Sequence, residues 1–234
     1  MAQQFAGMVW RDRMLAGLGA LAGIIAVMAV GHGLAPQLDL WLGGTFPPII
    51  APIGASAVLV FAVPASPLAQ PWPVVGGNLL SALVGAAVAM VMPDPLLAAG
   101  LAVGLAIVVM SLAGCLHPPG GGTALLATVG GKGAAAASLL FGPGIVLANA
   151  LVLVAAGWLW HRWSGHSYPH RPAVVATATP MPPAIEALLH RDDIDKALAD
   201  MGESFDISIE DLDMLLHRAE AHAAERGAVL ATGR

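Results

Sequence analysis

The sequence predicts an all-α polytopic membrane protein that ends in a short water-facing tail. Of its 234 residues, 57% are hydrophobic and 11% are charged, whereas soluble domains carry about 25% charged residues. Between Met14 and Trp160 the charged residues are Asp39, Asp94 and Lys132. Apolar stretches in this region reach the roughly 20 residues that a helix needs to cross the hydrocarbon core. The lipid bilayer is therefore the first predicted partner.

Four of these stretches have the length and composition of membrane-spanning helices, and they cover residues 14–34, 74–92, 96–115 and 139–160. Two further stretches, 47–63 and 118–131, are apolar but are interrupted by proline and glycine. As a helix the second would reach only about 21 Å, which is short for a full crossing. We therefore expect four full helices and two broken elements.

The two broken elements resemble each other, which indicates an internal repeat of helix, broken element, helix. The segment GASAVL at 54–59 matches GGTALL at 121–126, each follows a Pro-Pro pair, and the next helix contains Asn78 or Asn149. A chance match of alanine and glycine is the alternative. If both broken elements cross the bilayer, six membrane elements form two inverted units, as in many secondary transporters. If both are re-entrant, the chain has four spans and parallel units.

Basic residues flank the membrane region at both ends. Arg11 and Arg13 precede the first apolar run, which is too long for an ordinary signal peptide. Arg162 and Arg171 follow the last one. Because cytoplasmic segments are rich in Lys and Arg, the N- and C-termini are expected in the cytoplasm under either topology.

The charged residues that follow the membrane region predict separate domains. The predicted divisions are a membrane domain, a linker and a cytosolic helical tail, at residues 1–165, 166–183 and 184–234. The tail contains two amphipathic patterns, at 184–201 and 209–226. Ser208 followed by Asp211 has the spacing of a capping box at the start of the second. We expect a small helical hairpin that packs on itself or on a second copy.

The breaks predict a site as well as a structure. Non-helical backbone at bilayer depth persists only where it is buried in protein or lines a polar cavity. A helix that begins at a break directs N–H groups and the positive end of its dipole toward the break, which favours anions. His117 is expected either to carry a proton or to cap a helix, and close helix packing is the alternative role for the glycines. The predicted substrate-binding residues are Gly54, Ala55, Ser56, Asn78, His117, Pro118, Pro119, Gly120, Gly121, Gly122, Thr123 and Asn149.

Composition indicates which solutes the protein could bind and whether it could hold a metal or catalyse a reaction. Tight binding of a multivalent anion calls for Arg or Lys, and the membrane region contains only Lys132, so a small monovalent anion is favoured. The net charge of -5 lies in the tail and argues against a nucleic-acid partner. Cys115 and His117 do not complete a metal set, and no nucleophile has a base at suitable spacing in sequence. We expect no metal, no cofactor and no enzymatic activity.

Two motifs together resemble a known family. The stretch HPPGGGTAL at 117–125, with PIGASAVLVFAVPASPLAQPWPVVGGNLLSALVG at 52–85, is similar to the HPP family of integral membrane proteins. The resemblance implies a plasma-membrane or organelle-envelope protein, and members from cyanobacteria and chloroplasts are associated with nitrite transport. Many bacterial members carry a nucleotide-sensing CBS pair after the membrane region. No such pair is expected in the tail at 184–234.

Two classes of function follow. The first is a transporter or channel for a small monovalent anion, foremost nitrite, in the bacterial inner membrane, where the richness in alanine and glycine and the lack of a visible transit peptide place it. The second is a non-transporting membrane scaffold or sensor whose tail binds a partner and whose glycines only allow close packing. Small residues along the helices favour a homo-oligomer, a dimer or a trimer, in either class.

Overall fold

The computed structural model describes residues 10–42, 47–129, 131–171, 196 and 207–232. The chain divides into two compact units, Met1–His170 and Arg171–Arg234, and this boundary falls inside the predicted linker at 166–183. Within the described residues every regular element is a helix. The predicted all-α class is thus confirmed for the part of the chain that the structure describes.

The described part of the membrane unit contains four longer α-helices and two short ones. Its α-helices within the described ranges are α1 Trp10–Leu42, α2 Pro52–Ala62, α3 Asn78–Val91, α4 Pro95–Leu112, α5 Pro118–Thr128 and α6 Gly131–Ser164. A short 3₁₀ turn, Pro67–Ala69, and a π-helical turn, Pro73–Gly77, connect α2 to α3.

The four predicted spanning helices are confirmed. Segments with the length and hydropathy to cross a membrane are Trp10–Leu34, Pro73–Val91, Pro95–Leu112 and Gly144–Ser164. Each lies within a few residues of its predicted bounds. The helix that carries the last span starts earlier than predicted, since α6 begins at Gly131.

The two predicted broken elements are short helices that begin with proline. Helices α2 and α5 have 11 residues each, so each rises about 17 Å, roughly half of the hydrocarbon thickness. Proline is well placed at a helix start because the first N–H groups have no partner within the helix. The Pro118-Pro119 pair therefore marks the start of α5, whereas α2 starts at Pro52, after the Pro-Pro pair at 47–48.

Helix α2 runs along α1 in the opposite direction. Just before α2, the Pro48 backbone lies so close to Gly31 of α1 that a Cβ there would overlap it, and near its end Phe61 packs against Gly19 of α1. These two glycines are 12 positions apart, which is about 18 Å along a helix. The segment from Pro48 to Phe61 therefore runs along about half of the spanning part of α1, which is Trp10–Leu34.

Helix α5 runs along α3 in the same direction. Gly77, directly before α3, lies against His117, directly before α5, and further along Gly85 of α3 lies against the Ala124 backbone of α5. Glycine at both positions allows the two helix backbones to approach closely. This packing sets the depth and rotation of α5, and with them the positions of its polar side chains.

Two apolar clusters form the interior of the membrane unit. The first joins α1, α2, α3, α6 and the π-helical turn before α3, with Val27, Ile53, Val60, Val74 and Leu153 among its buried members. The second joins α3, α4 and α5 through Ala98, Ala102, Ala106, Met110 and Ala124. The short helices α2 and α5 each belong to one cluster, so the polar residues between them lie where the two clusters meet.

In the second unit the structure describes one long helix, α7 Ile209–Thr232. Its predicted start is confirmed, because the Ser208 hydroxyl accepts a hydrogen bond from the Asp211 amide at 3.1 Å. It continues past the predicted end at residue 226. Leu215 of this helix is 57% exposed. The predicted helix at 184–201 lies outside the described residues apart from position 196.

Candidate functional site

A chain of buried polar side chains connects the two short helices through α3. Its members are Ser56 of α2, Asn78 of α3, His117 before α5 and Thr123 of α5. Each is at most 1% exposed. Four of the predicted site residues are thus brought together at one place in the fold.

The hydrogen bonds of this polar chain have one direction. The Thr123 hydroxyl donates to Asn78 Oδ1 at 2.6 Å, and Asn78 Nδ2 donates to Ser56 Oγ at 3.3 Å. Ser56 Oγ lies 2.8 Å from His117 Nε2. The remaining Asn78 amide hydrogen is directed to the Val74 carbonyl at 2.9 Å. Every polar atom of the Asn78 side chain is therefore engaged.

The far end of the polar chain fixes the tautomer of His117. Its Nδ1 lies 2.8 Å from the Leu68 carbonyl oxygen, and a carbonyl can only accept, so Nδ1 carries the hydrogen. In the neutral ring Nε2 is then an acceptor, and the Ser56 hydroxyl donates to it. The order of donation runs from Thr123 through Asn78, Ser56 and His117 to the Leu68 carbonyl.

The backbone at the start of α5 is already bonded. Pro118 and Pro119 have no N–H group, and the Gly120 N–H donates to the His117 carbonyl at 2.8 Å. The His117 backbone is extended, with φ -142° and ψ 107°, which is typical of the residue before proline. The Pro-Pro pair therefore supplies a helix start with few unpaired amides.

The start of α2 is satisfied in a similar way. Pro52 has no N–H, the Ile53 N–H donates to the Ile50 carbonyl at 3.1 Å, and the Gly54 N–H donates to the Ala51 carbonyl at 3.0 Å. Of the amides that the sequence predicted as anion donors, those of Gly54 and Gly120 thus donate to carbonyls of the chain itself. Side chains, rather than backbone amides, are the groups at the breaks that form the polar chain.

The glycines around the polar chain have different environments. A Cβ on Gly120 would lie 2.6 Å from Ser81 Oγ and 2.8 Å from Met110 Sδ, whereas one on Gly121 would have only Val103 nearby, at 3.8 Å. Gly54 has open space around it, and Ala55 and Gly122 are exposed. Of these, only Gly120 is placed by close packing beside the polar chain.

Asn149 lies outside the polar chain. Its Oδ1 accepts from the Ile50 N–H at 2.9 Å, and its Nδ2 donates to the Pro48 carbonyl at 3.1 Å. It is 2% exposed. Asn149 of α6 therefore holds the backbone turn that leads into α2.

A second buried polar group was not predicted from the sequence. His161 Nε2 lies 2.9 Å from the Val60 carbonyl, its Nδ1 lies 3.1 Å from Ser164 Oγ, and Ser164 Oγ lies 3.1 Å from His166 Nδ1. In a continuing helix Val60 would accept from residue 64, but Pro64 has no N–H. That proline is the sequence signal for the missing partner, since it leaves one carbonyl of α2 in need of a distant donor.

The described residues contain no group of three or more His, Cys, Asp or Glu side chains arranged to hold a metal ion. Cys115 is buried beside the polar chain and is a free thiol. The side chains of the polar chain itself are two hydroxyls, one amide and one imidazole.

These features define a polytopic helical membrane protein with a polar chain buried between two short proline-initiated helices. The HPP transmembrane region matches residues 6–169 of the chain, which is more than half of its 234 residues. The chain belongs to the HPP family of membrane proteins, as its sequence motifs predicted.

Two relatives are transmembrane proteins of Dictyostelium discoideum. One is 42% identical over 111 residues, which cover 46% of this chain and 36% of the relative. The other is 41% identical over 114 residues, which cover 47% of this chain and 34% of the relative. The matched region is therefore about a third of either relative's length. No solved structure matches the chain.

Proposed function

We propose that the protein moves a small monovalent anion across the membrane and that the polar chain Ser56–Asn78–His117–Thr123 is the place where the anion is recognised. Nitrite is the first solute to test, since resemblance to the family implies it. The observation that carries the proposal is the burial of four hydrogen-bonding side chains, each at most 1% exposed, where α2, α3 and α5 meet. Polar groups at bilayer depth that face the bundle interior commonly mark solute pathways.

The chemistry of the polar chain suits weak recognition. Two hydroxyls and one amide supply donors without a fixed positive charge, and conduction requires binding weak enough for the solute to leave. Because these side chains bond to one another, an entering anion exchanges internal hydrogen bonds for bonds to itself. The exchange avoids the large cost of leaving buried polar groups unpaired.

His117 is the proposed proton partner. Its Nε2 accepts from Ser56 in the neutral ring, and a proton there would turn this atom into a charged donor directed at the polar chain. Charge-assisted hydrogen bonds are roughly twice as strong as neutral ones. Protonation of His117 would therefore strengthen anion binding and link flux to pH.

Nitrite uptake into liposomes that contain the purified protein tests the proposal. We expect protein-dependent flux that changes with pH, and in His117→Gln we expect that pH dependence to be lost, because an amide cannot take up a proton in this range. Empty liposomes and a panel of other small anions and neutral solutes are the controls. Absence of flux for every solute, from protein shown to be folded, would contradict transport and favour the scaffold or sensor alternative.

One observation favours another class of function, an enzyme. The 2.8 Å contact between Ser56 Oγ and His117 Nε2 has the geometry of a nucleophile and its general base, with the imidazole oriented by the Leu68 carbonyl. The expected absence of enzymatic activity rested on the lack of such a pair in sequence, and the fold creates one across 61 positions. Covalent labelling of Ser56 by a fluorophosphonate would favour a membrane-embedded hydrolase, and no labelling is expected for a transporter.

The proposal also covers the membrane in which the protein lies, the orientation of its termini and its oligomeric state. The chain is a multi-pass membrane protein of the HPP family. Location in a bacterial inner membrane with both termini cytoplasmic, and assembly into a homodimer or trimer, are proposed from the composition, the flanking arginines and the small residues of the helices. Crosslinking in native membranes and protease access to each terminus test these points.

A further inference from the structure

The segment that follows α6 folds back onto the loop between α2 and α3. Tyr168 is 5% exposed, and its hydroxyl donates to the Ala69 carbonyl at 3.0 Å. The backbone N–H of His170 donates to Gln70 Oε1 at 2.8 Å. Two consecutive residues of the loop thus bind the segment through which the chain continues to Arg171.

The same loop carries the carbonyl that orients His117. Leu68 O accepts from His117 Nδ1 at 2.8 Å, and it is adjacent in sequence to the Ala69 carbonyl that accepts from Tyr168. Gln70 Nε2 further braces the loop by donating to the carbonyls of Pro64 and Ser66 at 2.9 and 2.8 Å. Leu68 and Ala69 therefore form one edge of the loop, with His117 bonded to the Leu68 carbonyl and Tyr168 to the Ala69 carbonyl.

The orientation of this edge decides what His117 can do. As long as Leu68 O accepts from Nδ1, the hydrogen stays on that nitrogen and Nε2 remains the acceptor for Ser56. If the carbonyl turned away, the imidazole would lose the bond that selects its tautomer. Nε2 could then carry the hydrogen, and the direction of donation along the polar chain would end at Ser56.

We propose that Tyr168 is a positioning residue for His117: its hydroxyl holds the Leu68–Ala69 edge and thereby fixes the tautomer of the imidazole at the end of the polar chain. The proposal rests on the proposed function in giving this imidazole a role in transport. It adds that the segment after α6, which contains Tyr168, controls the polar chain. Displacement of this segment would change which side chains of the polar chain donate hydrogen bonds to a solute.

Tyr168→Phe removes the hydroxyl and keeps the ring. The ring lies 5.6 Å from the His161 ring, centre to centre, and it also packs near Gly157. Phenylalanine preserves both contacts, so the variant isolates the bond to Ala69. Ser111→Ala, which removes an exposed hydroxyl from α4, is the matched control.

The primary readout is ¹⁵N magnetic resonance of histidine-labelled protein in liposomes, with the His117 signals assigned by their loss in His117→Gln. In the wild type and in Ser111→Ala we expect one set of His117 signals, with protonated Nδ1 and unprotonated Nε2. In Tyr168→Phe we expect a second set from the opposite tautomer, together with a changed pH profile of flux. A single unchanged set in Tyr168→Phe would overturn the proposal.

A second measurement does not depend on the folding of Tyr168→Phe. Tyr168 is the only tyrosine in the sequence, so 3-fluorotyrosine gives one ¹⁹F signal that reports on its hydroxyl. Coupling through the Leu68–Ala69 edge predicts that His117→Gln shifts this signal and Ser111→Ala does not. An unshifted signal in His117→Gln would overturn the coupling. Tautomer exchange without flux for any solute would instead contradict transport and leave the positioning role intact.

Discussion

At the scale of single residues, buried polar side chains form hydrogen bonds to backbone N–H and C=O groups that have no partner where a helix is interrupted. His161 donates to the Val60 carbonyl, for which Pro64 offers no N–H. Asn149 pairs with both a carbonyl and an amide ahead of α2. Since an unpaired backbone group in hydrocarbon costs several kcal/mol, such residues are structural supports for the short helices.

Asn149→Ala tests this role. The substitution removes both side-chain bonds and leaves the Ile50 N–H without its partner, so we expect a loss of stability of about 1–3 kcal/mol. The measurement is the thermal unfolding midpoint of the protein in detergent. Leu151→Ala on the same helix, where the side chain is 49% exposed, is the control and should shift the midpoint less. Equal shifts would contradict the supporting role of Asn149.

Tyr168, which lies after the last spanning segment, gives a pH prediction. Burial raises the pKa of its phenol above the ordinary value, which is about 10. Because the pKa of the phenol is higher in the folded than in the unfolded protein, its neutral form contributes to stability. This contribution is fully present below the pKa of the unfolded state and is lost as the pH rises through the pKa of the folded state. We expect the ultraviolet absorbance of the single tyrosine to show no ionisation near pH 10 until the protein unfolds. A midpoint near 10 in folded protein would contradict its burial.

At the scale of elements, the packing of α5 against α3 depends on two close contacts that only glycine allows. Gly85 of α3 faces the Ala124 backbone of α5, where a Cβ would overlap main-chain atoms, and Gly77 faces His117. Backbone cannot shift as a flexible side chain can, so these contacts fix α5 against α3. The distance from Thr123 to Asn78, and hence the continuity of the polar chain, follows from this packing.

Gly85→Ala and Gly121→Ala form a matched pair. We expect Gly85→Ala to destabilise the protein by about 1–3 kcal/mol or more, in the manner of an overpacked interior. Gly121→Ala should be tolerated, because its nearest neighbour would be 3.8 Å away. The measurement is the thermal unfolding midpoint of each variant in the same detergent. Stable Gly85→Ala protein would show that α3 and α5 do not pack as closely as described.

The elements themselves were largely predictable and their contacts were not. Hydropathy located the four spanning helices because each apolar run has the length that the bilayer demands, and Ser208 with Asp211 marked the start of α7. The sequence also singled out Ser56, Asn78, His117 and Thr123, because polar residues are rare in apolar runs. Their mutual hydrogen bonds depend on how α2, α3 and α5 pack, which no local pattern encodes.

The polar chain does not include every residue that the repeat predicted for the site. In the predicted repeat Asn149 corresponds to Asn78, yet Asn149 bonds to the Pro48 backbone and not to the polar chain. Tyr168 and His161 were missed because a single aromatic or histidine near a helix end is typical of the membrane interface. The sequence signal for His161 was Pro64, which has no N–H to donate to the Val60 carbonyl.

At the scale of the whole molecule, the packing of α2 supports a chain that crosses the membrane at each element. The segment from Pro48 to Phe61 descends along α1 from Gly31 to Gly19, and the loop after α2 is bound by Tyr168, beyond the end of α6. A re-entrant α2 would return to the end of α1 that it left. We therefore propose six membrane elements in two inverted units.

Cysteine accessibility tests this topology. In a Cys115→Ala background, which removes the single cysteine, Ala65→Cys should react with a membrane-impermeant maleimide from the side of the C-terminus. Pro93→Cys should react from the opposite side, because α3 lies between the two exposed positions. The four-span alternative predicts both sides reversed. Labelling of Pro93→Cys from the side of the C-terminus would contradict six crossings.

The central claim is that the polar chain lies on the path of the anion, and Thr123 tests it most directly. Thr123→Ser keeps the hydroxyl that donates to Asn78 Oδ1 at 2.6 Å, and Thr123→Val replaces it with a methyl group of similar size. We predict nitrite flux into liposomes for the wild type and Thr123→Ser, and flux about tenfold lower for Thr123→Val, since one hydrogen bond contributes about 1–1.5 kcal/mol. Equal flux through folded Thr123→Val and Thr123→Ser protein would contradict the claim.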